Sequence, residues 1–265
     1  MPIRLPRATR WRASCRSTGI RSGFLTETDE HGQKAERSAR AAGISPRDFT
    51  DHNSAAFRAM NAVLDISQDD FIRTTEPRHI SAIQALWREL ERRDEIYLGR
   101  FAGWYSVRDE AFYDEGELVD GKAPTGAEVE WLEEDNYFFQ LSARQERLLE
   151  YYHANPDAIA PRSRRNEVIS FVRAGLNDLS ISRTSFTWGI PVPGNSSHVI
   201  YVWLDALANY ISAVGYPDMN KPDFTTVWPV DLHMVRKDIA RFHSVYWPAF
   251  LIVERAAPRA EGQRP

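Results

Sequence analysis

The sequence predicts an α/β protein of the open-sheet kind with a small β-rich module inserted into it, and three stretches carry that prediction. His198 to Tyr210, HVIYVWLDALANY, alternates β-branched and aromatic residues in its first half, as a buried strand does. From Leu204 it spaces apolar residues as a helix does. Residues near 47–65, and the run that follows Pro77, repeat apolar side chains at helical intervals. From Ile96 the texture changes to IYLGRFAGWYSVRDEAFYDEGELVDGKAPTGAEVEWLEEDNYFFQLS, short aromatic-rich segments separated by Gly, Asp and Pro.

Composition bounds the rest. The chain has 265 residues, 43% of them hydrophobic and 12% aromatic, ample for a sizeable core. A net charge of -4 gives no global pull toward nucleic acid or membrane, so an RNA contact would need local patches. One cysteine, Cys15, excludes an internal disulfide and a cysteine-based structural zinc site, and points to a reducing, cytoplasmic setting. No apolar run approaches the roughly 18 residues of a membrane span.

Taken in order, residues 1–22 carry Arg4, Arg7, Arg10, Arg12, Arg16 and Arg21 with no acidic residue. Three readings stay open for them: a basic tail, a transit peptide, or sequence foreign to this domain. SGFLTETDEHGQK begins with a short apolar strand. Asp29, Glu30 and His31 at its end form either a solvated turn or a site. A helix runs from Gln33 to about Ala42 and is closed by Gly43. Ser45-Pro46 starts a second, near 47–65, whose buried face is expected to hold Ala56, Phe57, Met60, Val63 and Leu64. Pro77 opens a third with a buried stripe of Ile80, Ile83, Leu86, Trp87 and Leu90. After the β-rich module, ARQERLLEYYH is helical, stops near Asn155-Pro156, and resumes after SRRNE with Val168, Ile169, Phe171 and Val172 buried.

Leu176 to Gly194 reads as extended and turn-rich. Within it Arg183 is either a surface arginine or an anion clamp, its planar fork suited to phosphate oxygens. A strand ending at Trp203 and turning at Asp205 into a helix would put Trp203 and Tyr210 at the carboxyl end of a sheet, where open α/β folds bind ligands. They form either an aromatic pocket wall or plain core. After Pro222 a further strand, DLHMV, leads into KDIARFHSVYWPAFLIV, a helix capped by Asp238, with Ile239, Phe242, Val245, Tyr246 and Ala249 on one face. His243 lies one turn in, structural or functional.

Together TDEHGQK, FIRTTEPRH, IYLGRFAGWYSVRDEAFY, SRRNEVISFVRAGLNDLSISR, YVWLDALANY and KDIARFHSVYWPAFL resemble methionyl-tRNA synthetases, class I aminoacyl-tRNA ligases, over about Phe24 to Leu251. The resemblance implies a Rossmann-type catalytic core split by a connective-peptide domain. Its parts would be an atypical segment 1–22, a first core part 23–95, the insertion 96–160, a second core part 161–251 and an atypical tail 252–265. It implies ATP-dependent activation of methionine and its transfer to the tRNA acceptor end, in the service of protein synthesis. Residue by residue, Asp29 matches the carboxylate for the substrate's α-ammonium, and Trp203, Ala206, Tyr210, Phe242 and His243 match the side-chain pocket. Asp238 matches the ribose ligand of ATP, His31 and Gly32 fall on the ATP side, and Arg183 matches an arginine for the triphosphate or reacting carboxylate. Mg would accompany ATP as counter-ion. Without a CxxC knuckle in the insertion, no metal site and no structural zinc are expected.

The family's HIGH-type histidines and KMSKS-type lysine loop are not found in these blocks, and Glu27 and Arg236 stand where the family has glycines. A glycine lets a nucleotide approach backbone closely. The expectation is therefore a chain truncated or out of frame at both ends, weakly active or inactive alone and poorly soluble. The alternative is a non-catalytic remnant that binds methionine or the acceptor end. A synthetase for leucine, isoleucine or valine would carry a much larger insertion.

Overall fold

The computed structural model describes residues 23–113 and 115–254. The basic segment 1–22 and the tail beyond Glu254, on which the expectations about the chain's ends fall, lie outside the described residues.

Strand β1 (Leu25–Thr28) is followed by α1 (Gln33–Ala42) and α2 (Pro46–Val63) and then by β2 (Asp70–Arg73), which lies parallel to β1 with Leu25 opposite Asp70. Parallel strands need such a crossover. Local chemistry sets its punctuation. Gly43 takes φ 70 at the end of α1, and the Ser45 side chain accepts from the Asp48 amide at the start of α2, with Pro46 in the first turn.

The apolar face expected for α2 is a correction. Thr50, Ser54 and Asn61 are buried, whereas Phe57, Met60 and Val63 are exposed. Polar residues fill the side that meets β2 and its loops, Thr50 bonding the Arg47 carbonyl and Ser54 lying 3.4 Å from the Thr28 hydroxyl.

Helix α3 (Pro77–Arg92) buries Ile83, Leu86, Trp87 and Leu90 as its spacing requires, and His79 and Ala82 with them. In the inserted module the strands are longer than expected. β3 (Ile96–Ser106) pairs antiparallel with β5 (Glu130–Phe139) from Ile96–Phe139 to Tyr105–Glu130, and β4 (Ala111–Tyr113) extends the sheet on the other side of β3. Helices α4 (Gln145–Ala154) and α5 (Arg162–Arg173) follow, so that SRRNE lies inside a helix and not before it. The two-residue strand β6 (Leu179–Ser180) then joins β5, stitching the module's sheet to the chain that follows.

The last sheet orders β7 (Ser182–Arg183), β9 (Asn195–Ile200) and β8 (Pro191–Val192). β9 leads directly into α6 (Val202–Ser212), which packs on α3. Two boundaries differ from expectation. The strand ends at Ile200, so Trp203 belongs to the first helical turn, and Asp205 is a buried helix residue and not a turn. DLHMV forms no strand. Beyond α7 (Pro222–Val227) residues 231–235 are irregular, with Leu232, Met234 and Val235 exposed, because no strand among the described residues lies beside them.

The final helical run begins with a 3-10 turn (Lys237–Ile239), widens to a π-helical turn (Phe242–Tyr246), and ends in α8 (Trp247–Glu254). One core unites the buried faces of α3, α4, α5, α6 and α8. None of the described helices is long and apolar enough to cross a membrane.

Candidate active site

The expected site residues fall mainly on three pieces of chain, the β1–α1 loop, α6 and the π-helical turn. α6 is apolar nearly all round, so most of it is buried, but Trp203 and Tyr210 remain partly accessible on one side. Trp203 stacks on Phe242 with centroids 3.7 Å apart and planes 9° from parallel. Its indole Nε1 donates to the Glu110 carbonyl at 3.0 Å, which the Tyr201 hydroxyl shares. Tyr210 donates its hydroxyl to His243 Nε2 at 2.8 Å and packs 4.3 Å from the His233 ring. Ala206, buried between Trp203 and Tyr210 in sequence, adds no side-chain bulk to that helix face.

The β1–α1 loop supplies the charge. Asp29 keeps solvent-accessible surface although protein crowds it on its other sides. That crowding, and then the charge of Asp205, push its carboxyl up to about 7 against the pull of His79 and His31. Glu27 precedes it by two residues and so points to the same side of the strand. Glu27 Oε2 is buried without a hydrogen-bond partner, and burial, then Asp29 and Asp205, hold its carboxyl well above the ordinary carboxylate range. The Tyr210 phenol is raised by burial first and then by these two carboxyls, which places Glu27 and Asp29 in its neighbourhood. His243 is lowered by burial, and His233 by burial and His243 to about 4.

Glu30 and His31 are buried, which excludes the solvated-turn reading for both. Glu30 takes a bidentate pair from Arg73 Nε and Nη2 at 2.7 and 2.9 Å. His31 Nδ1 faces Asp205 Oδ2 at 2.7 Å. Gly32 is the N-cap of α1 at φ 109, with Glu110 Oε1 2.6 Å from where a Cβ would stand.

Among the expected residues, Trp203 with Phe242 and Tyr210 with His243 are in direct contact, Ala206 shares a helix with Trp203 and Tyr210, and the Asp29 carboxyl is near enough to Tyr210 to raise its phenol; His31 and Gly32 follow Asp29 in the same loop. Two expected residues stand apart. Asp238 makes no capping bond; its half-exposed carboxylate faces Arg236 Nε at 3.6 Å, and the Arg236 side chain runs out into solvent at 87% exposure.

Arg183 is not at the surface at all. It is fully buried, its guanidinium 4.1 Å over Phe112, 4.3 Å over Tyr201 and 5.4 Å over Tyr105, with Glu134 3.7 Å from Nε. Its Nη2 has no hydrogen-bond partner. The rings, the distant carboxylate, and hydrogen bonds from Nη1 to the Ser180 hydroxyl at 3.0 Å and to the Ser182 carbonyl together hold this cation.

Sequence reasoning missed Asp205, His79, Glu110 and His233. Two left a signal. His79 sits four residues before Ile83, on the buried stripe of α3, and Asp205 is an acid inside an otherwise apolar helix.

Comparisons with known proteins agree on this chain's kin. A family model described as tRNA synthetases class I (M) matches residues 7–130 and 113–261, reaching beyond Phe24 and Leu251 on both sides. Methionine–tRNA ligase of Rickettsia felis is 62% identical over 230 residues, 86% of this chain and 45% of that one. The Brucella suis enzyme of the same name is 55% identical over 242 residues, 89% and 47% of the two chains. Among solved structures, Mycobacterium tuberculosis methionyl-tRNA synthetase bound by methionyl-adenylate superposes with a TM-score of 0.89 at 49% identity. The match covers 97% of this chain and 54% of that one. The apo form of the same synthetase gives 0.74 at 45% identity, over 89% and 54%. The chain spans about half the length of the curated relatives it matches.

Proposed function

Because the chain belongs to the class I tRNA synthetases of the methionyl family, with that family's open α/β catalytic core, we propose that it is part of a methionine–tRNA ligase and carries the methionine-binding side of the catalytic centre. The whole activity would be ATP-dependent formation of methionyl-adenylate and transfer to the acceptor end of the tRNA. Residues 23–95 and 161–251 would form the catalytic core and 96–160 the connective-peptide insertion.

The observation that carries this reading is the contact of Trp203 with Phe242 and of Tyr210 with His243, with the Asp29 carboxyl near Tyr210; these residues would line one hollow. Stacked and tilted rings suit a flexible, polarizable thioether. An α-ammonium beside Asp29 would favour the ionised form of its raised carboxyl. Asp29 would hold that ammonium, while Trp203, Ala206, Tyr210, Phe242 and His243 enclose the side chain. Asp238, His31 and Gly32 would face ATP, and Arg183 the reacting carboxylate or the triphosphate. Mg would serve as the nucleotide's counter-ion. The insertion carries no cysteine, and on that ground the zinc-free reading is retained.

A second reading, binding of methionine without turnover, is favoured by one observation: Arg183 is fully buried, with rings, Ser180, the Ser182 carbonyl and Glu134 around its guanidinium. Calorimetric titration with methionine, set beside methionine-dependent ATP–pyrophosphate exchange, separates the two. Saturable binding with exchange supports the ligase, and binding without exchange supports the second reading. Absence of binding, in a chain shown to be folded, overturns both.

A further inference from the structure

Asp205 is 1% exposed and its carboxylate is used on both sides. Oδ2 accepts from His31 Nδ1 at 2.7 Å and Oδ1 accepts from His79 Nε2 at 2.6 Å. The second nitrogen of His79, Nδ1, meets the Ser212 hydroxyl at 2.9 Å. His79 Nε2–H donates to Asp205, while the Ser212 hydroxyl lies within bonding distance of both His79 Nδ1 and the Asn209 carbonyl, the latter at 3.0 Å. Three elements are thereby tied at one buried carboxylate: the loop after β1, helix α3, and helix α6.

The other ties on that loop run elsewhere. The Glu30 amide reaches the Thr74 hydroxyl at 3.0 Å, and the Gly32 amide and the Glu30 carbonyl are both held by Trp188. Glu30 itself is taken up by Arg73 and Thr75. Among the described residues, the His31–Asp205 bond joins the loop bearing Asp29 to the helix bearing Ala206 and Tyr210.

We propose that Asp205 is a positioning residue: by bridging His31 and His79 it sets the Asp29 loop in register with the aromatic wall of the hollow, and so fixes the distance between the ammonium and thioether ends of the site. The proposal deepens the methionine-binding reading and rests on it for its affinity measurements.

The electrostatics give the bridge a pH signature. Burial alone would raise Asp205, but the charges and hydrogen bonds of His31 and His79 outweigh it and hold the carboxyl at about 2. Burial works against a charged His31. Asp205, by charge and hydrogen bond, then Glu30 and Asp29, overcome this and raise its pKa above the ordinary histidine value.

The signs follow from linkage. Asp205, depressed, contributes above its unfolded pKa and loses its contribution as pH falls toward 2. His31, raised, contributes fully below its unfolded pKa and loses its contribution as pH rises through its folded value. Asp29 must ionise to hold an ammonium, and it titrates at about 7 among Asp205, His79, His31 and Glu30, with Glu27 and Glu110 also sensing its charge. Ligand affinity is therefore expected to rise with pH as Asp29 ionises through about 7.

The test is methionine affinity by calorimetry from pH 6 to 9 on the full chain, with imidazole nitrogen shifts read by NMR in the same samples. Asp205→Asn is expected to weaken binding about tenfold, a difference of about 1.4 kcal/mol, and to bring the His31 pKa down. His31→Asn keeps a donor toward Asp205 and is expected to retain more affinity than His31→Ala, which removes the donor.

A folded Asp205→Asn chain with wild-type affinity and wild-type His31 pKa overturns the proposal, as does a His31→Ala chain that binds as well as His31→Asn. Should Asp205→Asn fail to fold, the two His31 variants decide alone. If the wild-type chain does not bind methionine, the binding reading falls. The NMR titration of His31 then still decides the bridge, which an ordinary or lowered histidine pKa would refute.

Discussion

The Tyr210 hydroxyl and His243 Nε2 stand 2.8 Å apart, while His243 Nδ1 faces the Ile239 carbonyl at 3.0 Å. A carbonyl only accepts, so Nδ1 carries the proton and Nε2 takes the Tyr210 O–H. Burial lowers the pKa of His243, which agrees with a neutral ring. The pair thus presents an uncharged, oriented edge to the hollow, as an apolar ligand requires. Tyr210→Phe removes the donor and leaves an imidazole nitrogen unpaired in a largely buried place, at a cost of about 1–3 kcal/mol. Urea denaturation should show that loss. Methionine titration should show weaker binding in the same variant, and unchanged values in both measurements would refute the pairing.

Arg73 and Glu30 form the buried ion pair that fixes the back of the β1–α1 loop. Glu30 is 2% exposed and receives two parallel N–H bonds from the guanidinium, which also reaches Asp51. Removing one partner of such a pair strands the other charge, typically at about 3–5 kcal/mol. Arg73→Met should cost that much in chemical denaturation. Arg73→Lys, which keeps the charge but not the fork, should fall between the two. Equal stability of all three chains would show that Glu30 is neutralised by other means.

Elements closed by local chemistry were legible in the sequence, and those decided by remote partners were not. Gly43, Ser45-Pro46 and Pro77 punctuate helices through groups a few residues away, and the structure places those boundaries where the residues ask for them. The apolar face of α2 has ordinary helical spacing, yet Phe57, Met60 and Val63 face outward, because periodicity says which residues share a face and not what covers it. DLHMV has strand composition but no neighbour to pair with among the described residues. The site divides in the same way. The aromatic wall lies on two contiguous runs and could be read directly, whereas Asp205 meets His31 and His79 from 174 and 126 residues away, a juxtaposition only the fold creates. Arg183 shows the limit most sharply, since nothing near it in sequence announces the ring of Phe112 above it.

Gly32 joins the site to the insertion, and its lack of a side chain is required twice. Its φ of 109 and ψ of 165 fall in a region essentially reserved for glycine, where another residue costs about 1–3 kcal/mol. A Cβ would also stand 2.6 Å from Glu110 Oε1, a carboxyl that burial, opposed by Lys34 and reinforced by Asp29, has already raised to about 7. Gly32→Ala should therefore lower stability by the backbone cost and displace Glu110. Combining it with Glu110→Ala should recover the steric part and leave the backbone part. Because the folded carboxyl binds its proton more tightly than the unfolded one, Glu110 costs stability as pH rises from about 4.5 to 7. Glu110→Gln should accordingly gain more over the wild type at pH 8 than at pH 5. Thermal melts of these three variants and the wild type at both pH values measure each part. A Gly32→Ala chain as stable as the wild type at either pH would show that the insertion does not press on the loop that carries Asp29.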